Sequence, residues 1–213
     1  SDETSVSFVQ MATLTATSYP YPAYAGSTTA QKSVLNLVGC TGVYQQTVMS
    51  SEGTLSDGTK YDLSNYASYQ SQATGTVTTG ATNTRYAKGV SVGTTSVIPS
   101  FYGVLASALP FTVTNDKTAI TELVHRTPWN SQTSFVGIQG ATKTIVIEAR
   151  FDDGTRFEDI RNNGLGISAS DLVLIGSGDE AAMTVTNQLV ATLKGNSYKA
   201  VTLTVQGYCS DGS

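Results

Sequence analysis

The residues able to do chemistry are few and scattered. Gly89-Val90-Ser91-Val92-Gly93 satisfies Gly-x-Ser-x-Gly, the turn that in hydrolases lifts a serine hydroxyl from a strand end toward a histidine base. That chemistry needs a helix after the second glycine, but Thr94-Thr95-Ser96-Val97-Ile98 is β-branched and reads as a strand. The chain's single histidine, His125, lies in Leu123-Val124-His125-Arg126. It has no second histidine with which to build a metal site. Carboxylates cluster at Asp152-Asp153, Glu158-Asp159 and Asp179-Glu180. Calcium needs six to eight converging oxygens, and no Asp-x-Asp-x-Asp loop supplies them. Solvated turns account for these pairs. The expectation is therefore no catalytic set, no metal and no cofactor: not an enzyme.

Three aromatic or sulfur-bearing features remain. Tyr19, Tyr21 and Tyr24 flank Pro20 and Pro22, and such a cluster stacks on sugar, on a neighbouring subunit, or inside its own domain. Trp129 follows Pro128 and reads as a packing anchor or an interface marker. Cys40 and Cys209 are the two cysteines. Either they form a disulfide, within one molecule or between neighbours, or they stay as two thiols; spacing alone leaves these open.

Around these residues the chain is built for strands. Of its 213 residues only 13% are charged, the net charge is −4, and Thr, Ser, Gly, Ala and Val dominate. That bias suits pleated strands with small polar outer faces. No run of Lys or Arg is present to neutralise phosphates, which argues against nucleic acid. No stretch approaches the roughly 20 apolar residues that span a bilayer, and the first residues do not read as a signal sequence. The expectation is a mature soluble product or an excised piece of one, with a composition that leans toward the extracellular space or cell surface.

The organisation follows from a repeated turn. Ser56-Asp57-Gly58-Thr59-Lys60-Tyr61 returns as Asp152-Asp153-Gly154-Thr155-Arg156-Phe157, and Asp57 and Asp153 stand 96 residues apart. Asp-Gly between β-rich flanks is a hairpin signal, since glycine supplies positive φ and aspartate bonds its own backbone. One domain's length between two copies indicates a tandem repeat. Strands are predicted at 66–71, 75–79, 84–88, 94–101 and 109–113 in the first repeat. In the second they are predicted at 119–126, 142–151, 171–175, 182–185, 188–193 and 199–206. A polar hinge is expected at 114–117. Residues 5–19 alternate loosely, with Val6, Phe8, Ala12, Leu14 and Ala16 on one side, and residues 19–24 read as a stiff edge or linker because proline removes ladder donors.

Three elements in order carry a family resemblance. They are Gly53-Thr54-Leu55-Ser56-Asp57-Gly58-Thr59-Lys60-Tyr61, then Tyr69-Gln70-Ser71, then Gly89-Val90-Ser91-Val92-Gly93-Thr94-Thr95-Ser96-Val97-Ile98. This resembles the group 2 bacterial immunoglobulin-like repeats, which also occur in algal flagellar-hair (mastigoneme)-like, pilus-like and other surface and fibre proteins. The second copy keeps the Asp-Gly-Thr turn and a terminal Val-x-Leu-x-Val strand but lacks the Gly-Thr-x-x-Ile element.

The resemblance implies an all-β chain of two tandem immunoglobulin-like antiparallel β-sandwich domains with an extended N-terminal strand. The expected division is residues 1–18, 19–113 and 114–213. It also implies a structural subunit that polymerises head to tail, or else an adhesin-like module that presents loops to a carbohydrate or protein. The expected inter-subunit contacts are Val6, Phe8, Leu14, Ala16 and Trp129, because the extended segment at 5–16 can add to a neighbour's sheet edge.

Overall fold

The computed structural model describes residues 8–80, 84–126, 135–195 and 200–208. Val6, Trp129 and Cys209 lie outside them. The described chain is all-β, with antiparallel sheets and three single-turn 3₁₀ segments. By contacts it divides into two compact units, Ser1–Leu35 with Tyr44–Asn115, and Asn36–Val43 with Asp116–Ser213.

Among the described residues ten strands begin in the first domain. They are β1 (Met11–Tyr21), β2 (Val34–Val38), β3 (Gln46–Leu55), β4 (Lys60–Asp62), β5 (Ser68–Ser71), β6 (Val77–Thr79), β7 (Tyr86–Gly89), β8 (Gly93–Phe101), β9 (Val104–Leu105) and β10 (Leu109–Thr118). One sheet has the order β1-β3-β7-β6 with β4 on β3; the other has β2-β10-β8-β5 with β9 on β8. Strands of both sheets feed one core: Met49, Val77 and Ala87 from the first, and Leu35, Tyr69, Val97, Phe111 and Val113 from the second. Two sheets sharing one apolar layer make a sandwich. A polar thread crosses it, since the Ser51 and Tyr69 hydroxyls meet at 2.9 Å and Tyr69 Oη donates to the Ser64 carbonyl. That contact satisfies groups that would otherwise be costly to bury.

Among the described residues the second domain has eight strands: β11 (Ile120–Arg126), β12 (Thr142–Thr144), β13 (Val146–Phe151), β14 (Arg156–Phe157), β15 (Val173–Ser177), β16 (Met183–Val185), β17 (Val190–Leu193) and β18 (Leu203–Gly207). Its sheets are β11-β13-β14, β12-β17-β16 and β15-β18.

The two domains match pair by pair. Met11 opposite Leu55 becomes Ile120 opposite Phe151, and the register break between Met11 and Thr13 recurs between Ile120 and Glu122. Thr47 opposite Ala87 becomes Lys143 opposite Ala191, and Thr78 opposite Lys88 becomes Thr184 opposite Thr192. Ser71 opposite Val97 becomes Ser177 opposite Leu203. Thus β11, β14, β15, β16, β17 and β18 are the counterparts of β1, β4, β5, β6, β7 and β8, and β12 with β13 is the counterpart of β3.

The Asp-Gly turns are built from the same bonds. Leu55 N–H donates to the Thr59 carbonyl at 2.8 Å, Gly58 N–H to the Leu55 carbonyl at 2.9 Å, and Thr59 N–H to Asp57 Oδ1 at 2.9 Å. In the second domain Phe151, Gly154 and Thr155 donate to Thr155, Phe151 and Asp153 Oδ1 at 2.9, 3.0 and 2.9 Å. Gly58 has φ +85° and Gly154 φ +81°, a conformation costly to residues with a Cβ.

Three expectations change. The extended segment expected over 1–18 is, from Met11 on, the edge strand of its own domain, paired with β3 through to Tyr21. Leu14 is buried there and Ala16 half-buried. The bulge at Met11–Thr13 slips the alternation, so Ala12 points outward instead of sharing the face of Leu14. The polar run at 114–117 does hold the division between the units, Asn115 ending one stretch and Asp116 opening the next, but it is strand and not a loop, because β10 continues through it to Thr118. There Thr118 Oγ1 donates to the Leu37 carbonyl and Gly39 N–H donates to the Thr118 carbonyl. Finally, Glu148, which strand alternation over 142–151 sets with Val146 on the face opposite Ile145 and Ile147, has a side chain only 1% exposed.

Glu148 is held by arginines on both sides. Arg126 donates to its Oε2 from Nε (2.6 Å) and Nη2, and Arg150 Nε donates to Oε1 at 2.6 Å. Arg150 Nη1 also reaches Glu122 at 2.6 Å. Burial alone pushes the Glu148 carboxyl up, but hydrogen bonds from Arg150 and Arg126 and their charges outweigh it and hold it below the ordinary glutamate range.

If the two turns are equivalent, Gly58→Ala and Gly154→Ala should each cost about 1–2 kcal/mol; urea unfolding that registers a loss at one turn and none at the other would contradict this. Glu148→Gln should cost about 1–2 kcal/mol, the loss of charge-assisted hydrogen bonds to arginines that water can then reach. Because the folded pKa lies below the unfolded one, Glu148's contribution is complete above about pH 4.3 and vanishes as pH falls through the folded value. The stability gap between the wild type and Glu148→Gln should therefore narrow in acid. A gap independent of pH would contradict the ion network.

Candidate functional site: turns, loop aromatics and sheet edges

Most of the polar groups singled out in the sequence serve the fold itself. β7 ends at Gly89 and β8 begins at Gly93, so the Gly-x-Ser-x-Gly run is a strand-to-strand turn. The Ser91 hydroxyl donates to the Gly75 carbonyl at 2.6 Å. His125 is an exposed residue near the end of β11, opposite Ile147 of β13.

The carboxylates serve turns. Asp57 is held below its ordinary range by the Thr59 backbone N–H. Asp62 is held low by the hydroxyl and then the N–H of Ser64. Asp152 Oδ1 accepts from Ala119 N–H at 3.2 Å. Asp159 caps the turn at Ile160–Asn162 through Arg161 N–H and pairs with the Arg161 guanidinium at 2.6 Å. Asp179 Oδ1 accepts from Ala181 and Ala182, both at 3.1 Å. Among the described residues no group of three His, Cys, Asp or Glu is placed to hold a metal ion.

The tyrosine cluster is partly absorbed by the fold. Tyr19 and Tyr21 lie in edge strand β1, where Pro20 stands opposite Thr47, and Tyr21 meets the Tyr86 ring edge-on at 4.7 Å. Proline is tolerated there because an edge strand has a side with no ladder to serve. Cys40 is disulfide-bonded, and its segment Asn36–Val43 groups with the second unit.

Two kinds of feature are left for function. One is exposed aromatic surface that sequence reasoning missed: Tyr102, 93% exposed at φ +45° on the turn between β8 and β9, with its ring edge-on to Phe101 at 4.6 Å. A non-glycine residue at positive φ is a strained placement, and such placements concentrate at functional positions. No sequence signal marks it beyond the neighbouring Gly103. The other is sheet edge. Phe8 is 87% and Val9 46% exposed just ahead of β1, and β18 is paired on one side among the described residues.

No protein-family model matches the chain, and no curated protein matches it. Among solved structures, domains 1–6 of the surface layer protein SbsC align over 94% of this chain at 12% identity and a TM-score of 0.37. The chain spans 27% of the length of that protein. The two-domain piece comprising SbsC domains 4 and 5 aligns over 92% of this chain and 94% of its own, again at 12% identity and a TM-score of 0.37.

Proposed function

We propose that the chain is a structural subunit of an extracellular or cell-surface filament, assembled head to tail from immunoglobulin-like domains of the group 2 kind. The observation that carries this reading is the strand-by-strand repetition of one sandwich, with Ala119 alone between the last strand of the first domain and the first strand of the second. A repeat joined by so short a connection is suited to extended arrays in which each unit meets its neighbours. The disulfide at Cys40 and the low charge agree with an oxidising compartment. Ser91, Asp57, Asp153 and Asp179 all have structural hydrogen bonds, which supports a non-enzymatic role.

A second reading is favoured by Tyr102. An adhesin-like module would present this exposed ring, with Tyr66 and Tyr61 also exposed, to a sugar face or a protein receptor.

Sedimentation velocity across a hundredfold concentration range separates the two. A filament subunit gives species that grow with concentration, and Tyr102→Ala leaves that growth unchanged. A monomer at every concentration that binds a glycan array and loses binding in Tyr102→Ala would favour the adhesin. Ser91→Ala and His125→Ala should leave both assembly and stability within about 0.5 kcal/mol of wild type. An esterase or peptidase activity abolished by Ser91→Ala would overturn the non-enzyme reading.

A further inference from the structure

One sheet face of the first domain carries aromatic and polar groups that the fold does not use. In β3 the odd-numbered residues Thr47, Met49 and Ser51 are buried, so Gln46, Val48 and Ser50 lie on the outer face of the sheet. Side chains directly opposite one another share a face. Tyr19 of β1 and Tyr86 of β7 therefore flank Val48 from its two sides, and Tyr21 and Lys88 flank Gln46 in the same way. Two strand spacings set Tyr19 and Tyr86 about 10 Å apart at the backbone. The Tyr21 ring reaches across β3 to meet the Tyr86 ring edge-on, at 4.7 Å and 64°.

The sandwich itself does not require these residues. At the same register positions the second domain has Thr142, Thr144, Val190 and Thr192 where the first has Gln46, Val48, Tyr86 and Lys88. Nor do their polar ends serve the structure. Ser91, Asp57 and Asp179 are bonded into turns, whereas the hydroxyls of Tyr19, Tyr21 and Tyr86, the Gln46 amide and the Lys88 ammonium make no hydrogen bond or ion pair among the described residues. Lys88 is exposed, Tyr86 is 37% exposed, and Tyr19, Tyr21 and Gln46 are half-buried.

Phenol rings beside an amide and an ammonium match a ligand that is apolar on one face and hydroxylated at its rim, as a pyranose ring is. An apolar protein surface laid here would bury the amide and the ammonium without partners, which is costly. Lys88 adds a sign to the ligand. The one carboxylate in the outward row of β3 is Glu52, about 20 Å along the strand from Gln46, and it is already paired with Lys60. We propose that this face binds a uronic-acid polysaccharide, with sugar rings on Tyr19 and Tyr86, sugar hydroxyls on Gln46 and Tyr21, and a carboxylate on Lys88. The site goes beyond the filament reading and does not depend on how copies assemble.

The test is calorimetric titration of the full chain with oligogalacturonate and with oligomannuronate, and with a neutral galactose oligomer for comparison. At least one uronate oligomer should bind tenfold or more tighter than the neutral one at low salt, and the margin should shrink at high salt. Giving the face the second domain's residues, Gln46→Thr with Tyr86→Val and Lys88→Thr, should abolish binding and leave the circular dichroism spectrum unchanged. Lys88→Gln alone should erase the preference for uronate, and it decides the matter if the triple variant does not fold. Tyr102→Ala, on the β8–β9 turn, should change nothing. Absence of binding by both uronates, equal binding of the neutral oligomer, or binding that survives the triple variant overturns the proposal. A triple variant that instead loses concentration-dependent growth in sedimentation, with no uronate bound by the wild type, also overturns it and assigns the face to a second copy.

Discussion

A strand has two edges, and every backbone N–H and C=O on each must find a partner or meet water. This constraint organises the first domain. β10 closes the edge of β8, and β2 then closes the edge of β10. Closing those edges also sets Leu35, Phe111 and Val113 with Val97 in one sheet, in the same core as Met49, Val77 and Ala87 of the other, so hydrogen-bond satisfaction and hydrophobic burial are obtained by the same act. In the second domain the same template is followed through β18, and there the described ladder stops.

The regularity of the repeat lies in backbone pairing more than in side chains. The bulge in β1 recurs in β11, and the Asp-Gly turns share three hydrogen bonds each. Core residues, by contrast, have drifted: Met49, Val77 and Ala67 correspond to Ile145, Met183 and Val173, all buried. Ala67 to Val173 and Val77 to Met183 each enlarge the side chain, so the apolar pattern is kept while the packing around it differs. The glutamate position is kept but its setting differs: Glu52, opposite Thr15, pairs with Lys60 at the surface at 2.7 Å, whereas its counterpart Glu148, opposite Val124, is buried between Arg126 and Arg150.

Much of this could be read from sequence because its causes are local. Asp57-Gly58 and Asp153-Gly154 announce turns by their own conformational preferences, and short β-branched runs announce the strands at 94–101 and 188–193. What stayed hidden depends on partners far along the chain. Alternation sets Glu148 on the face opposite Ile147, and the cost of its burial is offset by Arg150 two residues on and by Arg126, 22 residues earlier. Asn115 and Asp116 look like a hinge by composition, yet they lie within a strand that β2 borders. Ala12 defeats strict alternation because the bulge is set by the β3 pairing. The Gly-Thr-x-x-Ile element missing from the second copy is present there as a structure, β18, written in different residues. The candidate features were legible in part: Phe8 stands in an alternating stretch and is exposed, whereas the exposure of Tyr102 comes from the β8–β9 turn and no residue type encodes it.

The most direct measurement is cryo-electron microscopy of the concentrated full chain. Filaments with an axial repeat of one chain are expected. A solution of dispersed particles at every concentration would contradict head-to-tail assembly.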